Sequence, residues 1–332
     1  MREITYRDAI VEALDEEMAR DETVFVMGQD VGAMGGNFAT TRGLFAKWGP
    51  RRVRDTPISE DAIVGAALGA AIAGRRPVAE IMFSSFLGCC MDELCNHASQ
   101  IYYMSNGLCV PRMTVRTVNA FGRSSGSHHS GRPESWLMHL PGLVVLAPAT
   151  SYDVKAMLKY SIRADDPVIF IENAMLYGSV MGPVGEGDDL VPFGTANVVR
   201  EGSDVTIVAY SGTVRLALVA ATVLERQGIA VEVIDLRSLV PLDTETLFWS
   251  VVKTKRVLVV EEDVRTAGAG AEILTRVGEE LWGELAAPPT RIAAADTPVP
   301  FSPTLEEAIA PTAATVIATA LRLCGSRQLA RA

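Results

Sequence analysis

The sequence predicts an α/β protein of two domains, each a mainly parallel sheet covered by helices. Short apolar, β-branched runs alternate with helix-period segments along most of the chain. At 332 residues and 48% hydrophobic content there is enough apolar material for two cores. A glycine-rich, acidic stretch with little periodicity interrupts the alternation past the middle. These features divide the chain into a first domain at 1–175, a linker at 176–203, a second domain at 204–324 and a polar tail at 325–332.

Thr5 with Asp8 starts a helix in which Tyr6, Ile10, Leu14 and Met18 share one face, leaving Glu12, Asp15, Glu16 and Glu17 outward. Val24–Met27 is a short buried strand that exits through Gly28-Gln29-Asp30-Val31-Gly32. Ser59 is placed as an N-cap and Glu60 opens the next helix, which sets a carboxylate on a rigid turn. From Ala62 to Gly74 there is almost no polar face, so that helix is expected to be covered on all sides. Pro77–Phe83 reads as a strand. A helical pattern follows from Phe86 to Met104, with Cys90 and Cys95 expected in the core. The strand Arg112–Thr117 empties into a long Ser/Gly loop, Asn119–Pro133, that carries His128 and His129. A short helix with Trp136 and His139, the strand Leu143–Ala147, a helix from Ser151 to about Arg163 and the strand Val168–Glu172 complete this unit.

The second unit has strands at Val205–Ala209, Ala230–Ile234 and Arg256–Val260, helices at Val214–Gln227 and Asp243–Lys253, and a closing helix at Thr312–Leu323. Asp235, Glu225 and Asp243 are read as caps and surface groups, and Glu261-Glu262-Asp263 as a solvated strand end.

Composition excludes several classes of function. A formal charge of −10 without a long basic cluster disfavours nucleic acid and anionic membrane as partners. Five cysteines without Cys-x-x-Cys spacing indicate neither a disulfide framework nor zinc, and His128-His129 finds no further ligand at a zinc spacing. Ser211-Gly212-Thr213 and Gly268-Ala269-Gly270 miss the Gly-x-Gly-x-x-Gly fingerprint, so NAD is not expected. No apolar run reaches about 18 residues and the first residues lack a leader pattern, so a cytoplasmic location is expected. On residue type alone, Glu60 could be a first-turn carboxylate that complements the helix dipole by well under ~1 kcal/mol.

Asp55-Thr-Pro-Ile-Ser-Glu60, the Gly/Ala helix and Ala79-Glu-Ile-Met-Phe83 resemble the beta subunit of the decarboxylating component of 2-oxo acid dehydrogenase complexes, which uses thiamine diphosphate. His129-Ser130 and Trp136-Leu-Met-His-Leu-Pro-Gly-Leu143 fit the same family, and the resemblance covers nearly the whole chain. It implies a transketolase-like pyrimidine-binding domain followed by a transketolase C-terminal-like domain. Glu60 is then the acid that faces the cofactor's pyrimidine nitrogen, Phe86 the aromatic on its pyrimidine face, and Met82 a further cofactor contact. His129 is the histidine that moves protons during catalysis or acyl transfer. His128 stands where glutamine is usual, Gln29 where glutamate is, and Gly131-Arg132-Pro133 departs from the usual polar run.

The family's diphosphate-anchoring Gly-Asp-Gly motif is missing; Gly187-Asp188-Asp189 does not match it. The resemblance therefore implies that magnesium and half of the cofactor are held by an alpha subunit in an alpha2-beta2 heterotetramer. It also implies a lipoyl-bearing acyltransferase as partner, and a structural potassium on the carbonyls of Ser161, Ile162, Ala164 and Asp166. Phe86-Leu87-Gly88-Cys89-Cys90 is similar to the acetoin-cleaving branch, so an acetoin-cleaving enzyme or carboligase with the same cofactor is the alternative. A noncatalytic interaction subunit is a more distant one, with no need for Glu60, Phe86 and His129 together.

Overall fold

The computed structural model of the chain describes residues 2–185 and 187–325. The first unit runs β1 (Arg2–Thr5), α1 (Tyr6–Arg20), β2 (Val24–Gln29), α2 (Leu44–Trp48), β3 (Val53–Thr56), α3 (Glu60–Ile72), β4 (Arg76–Ile81), α4 (Ile101–Met104), β5 (Thr114–Asn119), α5 (Glu134–Met138), β6 (Val144–Leu146), α6 (Ser151–Arg163), β7 (Val168–Asn173) and β8 (Met181–Val184). The second continues with β9 (Asn197–Arg200), β10 (Val205–Ala209), α7 (Thr213–Glu225), β11 (Val231–Asp235), β12 (Ser238–Val240), α8 (Thr244–Thr254), β13 (Val257–Val264), α9 (Ala269–Leu281), β14 (Thr290–Ala294), α10 (Pro303–Ile309) and α11 (Ala313–Leu323).

The first sheet has the order β12-β6-β7-β5-β4-β2-β3 and the second β14-β13-β10-β11-β9. All pairs in both are parallel except β12 with β6 and β9 with β11, so the two-domain α/β expectation holds. The three-residue strand β12 comes from the second unit and completes the first unit's sheet. One core crosses the junction: Leu137, Val145 and Ala147 belong to the same buried cluster as Ile234, Leu239 and Leu247. No helix among the described residues is long and apolar enough to cross a membrane.

Helix α1 starts where Thr5 accepts from the Asp8 backbone N–H at 3.0 Å, as its sequence predicts. Its acidic face is not solvated, however. Lys155, Lys159 and Arg163 of α6 reach across to Glu12, Glu16 and Glu17. Lys159 and Arg163 also bind Asp188, whose carboxyl they hold well below the usual range.

Several expectations change. Ser59 sits at the N-cap position, but its hydroxyl turns back to the Pro57 carbonyl at 3.1 Å and makes no cap bond. Helix α3 is buried on Ile63, Val64, Ala67, Leu68 and Ala71; Asp61, Ala62, Ala66 and Ile72 are exposed, so one small-residue face is open in this chain. The helix expected over 86–104 is broken into a 3₁₀ stretch at Ser84–Cys90, a π-type turn at Glu93–Ala98 and α4. Ser99 Oγ and Gln100 Nε2 both bond the Cys95 carbonyl, which draws the backbone out of α register. Cys90 is buried as expected, but Cys95 is only half-buried. The stretch 176–203 holds two short strands, β8 and β9, each lying at a sheet edge where apolar alternation is not required. The tail expectation falls on residues 326–332, outside the described residues.

Candidate active site

The loop after β5 returns to the turn after β4, because these strands are neighbours in the sheet. Ser84 Oγ donates to the Gly131 carbonyl at 2.6 Å and the Gly131 N–H donates to Ser85 Oγ at 2.8 Å. This clasp seats the His129 ring edge-on against Phe83, with centroids 4.5 Å apart, and against Phe86 at 5.6 Å. Only glycine fits at 131: a Cβ there would lie 2.4 Å from Ser85 Oγ and 2.9 Å from Ser85 Cα. Gly131→Ala is accordingly expected to lower stability by about 1–3 kcal/mol through overpacking, read from the urea midpoint of the purified chain. An unchanged midpoint would remove the clasp.

Glu60 begins α3, which packs against the turn bearing Phe86. It is half-buried and accepts no side-chain hydrogen bond from the described residues. Its nearness to that turn shows in Cys90, whose thiol is pushed up to about 12 by burial, with Cys89, Glu60 and Asp61 adding in the same direction. Beside Phe86 opens a cavity of about 360 Å³ lined by Ser85, His128, Arg132, Trp136 and Asp263 among others. His128 is exposed at its rim, and Arg132 lies with its guanidinium 4.6 Å above the Phe121 ring.

Beneath these groups lies a charge network that neither motif nor periodicity revealed. Arg116, 1% exposed in the centre of the sheet, donates to Glu172 at 2.7 Å and Glu80 at 2.8 Å. Thr40 completes Glu80 at 3.1 Å and Tyr177 completes Glu172 at 2.6 Å. Burial works against the guanidinium's charge, but Glu172 and Glu80 outweigh it and hold Arg116 firmly charged. Met82, just past β4, lines a small void against this network together with Phe38 and Tyr177.

The strand end Glu261-Glu262-Asp263 is not solvated. Glu261 and Asp263 are buried, and burial pushes Glu261 up to about 7. Glu262 is likewise pushed to about 7 by burial, despite hydrogen bonds from Asn173 and Asn119 and the nearby charge of Arg132. Glu134, from the first unit, meets this wall and is raised well above the carboxylate range by burial and by Asp263. Asp235 is also buried and is pushed to about 8 by burial and Asp153, so it is no surface group; Asp243 does cap α8.

Two ion expectations meet the structure directly. Arg76 Nη1 donates to the carbonyls of Ile162 at 3.0 Å and Ala164 at 2.7 Å. A guanidinium, itself paired with Asp165, thus stands against two of the four carbonyls of the expected potassium site. Among the described residues no group of three or more His, Cys, Asp or Glu could hold a metal ion.

Two parallel-sheet units share one sheet edge, and an acid, a flat aromatic and a histidine gather where β3, β4 and β5 end. That arrangement defines a class of two-domain α/β protein with its candidate site at the carboxyl ends of the first sheet's strands. The transketolase pyrimidine-binding domain family matches residues 2–179, and the transketolase C-terminal domain family matches residues 194–316. The chain belongs to this transketolase-like family, in the branch of the pyruvate dehydrogenase E1 and acetoin-oxidoreductase beta subunits. It is 42% identical to the acetoin:2,6-dichlorophenolindophenol oxidoreductase subunit beta of Cupriavidus necator, over 96% of this chain and 97% of that protein. It is also 42% identical to the pyruvate dehydrogenase E1 component subunit beta of Rickettsia felis, over 97% and 98%. A solved structure described as a split-gene transketolase, inactive beta4 tetramer, superposes with a TM-score of 0.81 at 26% identity, covering 98% of this chain and 100% of that one.

Proposed function

We propose that this chain is the beta subunit of a heteromeric thiamine-diphosphate enzyme that decarboxylates a 2-oxo acid, pyruvate or a relative of it, and passes the acyl group to a lipoyl carrier. The observation that supports this most is the seating of His129 on Phe83 and Phe86 beside the Glu60 helix, in a chain so similar to E1 beta subunits. When bound, thiamine diphosphate supplies the carbanion chemistry that cleaves the bond next to the ketone. Glu60 would hold a proton at the pyrimidine ring, Phe86 and Met82 would orient that ring, and His129 would give and take a proton. The half-buried Phe86 and the Glu60 carboxylate, which has no side-chain hydrogen bond among the described residues, fit such a ring.

The remaining half of the cofactor site, with magnesium, would come from an alpha subunit in an alpha2-beta2 heterotetramer. The open face of α3 supports this. So does the similar split-gene transketolase, whose beta4 tetramer is described as inactive. A cytoplasmic location and a lipoyl-bearing acyltransferase partner complete the reading. The purified chain alone is expected to bind thiamine diphosphate weakly, in titration calorimetry with magnesium present, and to gain tight binding with its alpha partner. Tight stoichiometric binding by the lone chain would refute the shared site.

The second reading, an acetoin-cleaving subunit, is supported by the Cupriavidus relative. Assays of the assembled pair with pyruvate, branched 2-oxo acids and acetoin, using an artificial electron acceptor, separate the two.

A further inference from the structure

The loop that carries His129 is fastened to the second unit along its length. Near its start, the Glu306 carboxylate, only 3% exposed, accepts the backbone N–H of Gly122 at 2.8 Å and of Ser124 at 2.7 Å, with the Ser124 hydroxyl at 3.4 Å. In the middle, Ser127 Oγ donates to the Val299 carbonyl at 2.8 Å. Near its end, Arg132 Nη1 donates to the Glu262 carbonyl at 2.9 Å. Phe121 adds an apolar anchor, buried with Ala294 and Val299 in a small separate core.

The Glu306 contact is the unusual one. A buried carboxylate receives two backbone donors from a segment in which Gly122 has φ 88° and Ser124, a non-glycine, has φ 54°. A serine holds that left-handed conformation when its surroundings enforce it, and charge-assisted hydrogen bonds are the strong kind that can. The loop's path from β5 to the His129 turn is therefore set by a side chain 182 residues further along, on α10.

We infer that Glu306 is a positioning residue: by latching the start of the loop to the second unit, it fixes where the His129 ring can reach. The kinetic part of this inference rests on the role proposed above for His129; the structural part does not. The test compares Glu306→Ala and Glu306→Asp with the parent, in the full chain for spectroscopy and in the assembled alpha/beta pair for kinetics.

In Glu306→Ala, amide exchange across 119–133 should rise roughly 10- to 100-fold. The NMR signal of the His129 ring should lose the displacement imposed by the Phe83 and Phe86 rings, while those of His97 and His139 stay in place. The pair's kcat should fall about 10- to 100-fold with KM nearly unchanged, because a misplaced group costs rate rather than substrate binding. Glu306→Asp, which keeps the charge, should recover part of each effect. If the alanine variant does not fold, Glu306→Gln, which keeps the shape, is read in the same way. An unmoved His129 signal or an undisturbed loop in a folded variant overturns the latch. A displaced His129 signal with unchanged kcat supports the latch and overturns the catalytic role of His129 instead.

Discussion

Glu60→Gln should cut turnover of the assembled pair by about 10³-fold or more, at the upper end of what one positioned proton carrier supplies. The amide keeps the size and a hydrogen-bonding oxygen but cannot hold and release a proton, so only that capacity is removed. Because Glu60 has no side-chain hydrogen bond to lose among the described residues, the unfolding midpoint of the chain should barely move, within about 0.5 kcal/mol. The two measurements together separate chemistry from folding. A rate close to the parent's, measured with saturating cofactor and the cognate partner, would leave Glu60 as an ordinary first-turn acid.

The largest expected effect on stability is at Arg116. Arg116→Met leaves Glu80 and Glu172 buried without their cation, and breaking a buried ion network on one side costs about 3–5 kcal/mol. Urea unfolding of the purified chain reads this directly. Replacing Glu80 and Glu172 by glutamine in the same variant should restore much of the loss, since the uncompensated charges are then gone. If Arg116→Met alone unfolds at the parent's midpoint, the network carries no stability. Its position beneath Met82 and Phe38 would then need another explanation.

Legibility in the sequence followed the strength of local pattern. Helix α6 runs Ser151–Arg163, the range its periodicity predicts, because Thr150 caps it and one face is apolar throughout. Strands β8 and β9 were invisible because edge strands need no apolar alternation, and Pro183 and Gly182 argue against a strand locally. The break in the helix at 84–104 is not legible because Leu87, Leu94 and Ala98 do face the core at helical intervals, while the serine and glutamine side chains that interrupt the backbone give no periodic sign. Glu60, Phe86 and His129 stood out through family resemblance, not through composition. The nearness of Phe86 to His129 comes from the β4–β5 pairing. Glu306 and the Glu134–Asp263 wall left no local trace, since their partners lie on the other unit, far along the chain.

The borrowed strand β12 bears on how such a protein can change over evolutionary time. With three residues of the C-terminal half completing the N-terminal half's sheet, neither half is a free module. Recombination that swapped one half for a distant cousin's would strip β6 of its neighbour and bare a row of unpaired amides, an invitation to aggregate. Inheritance as a matched pair, with both halves drifting in step, is the outcome this geometry favours.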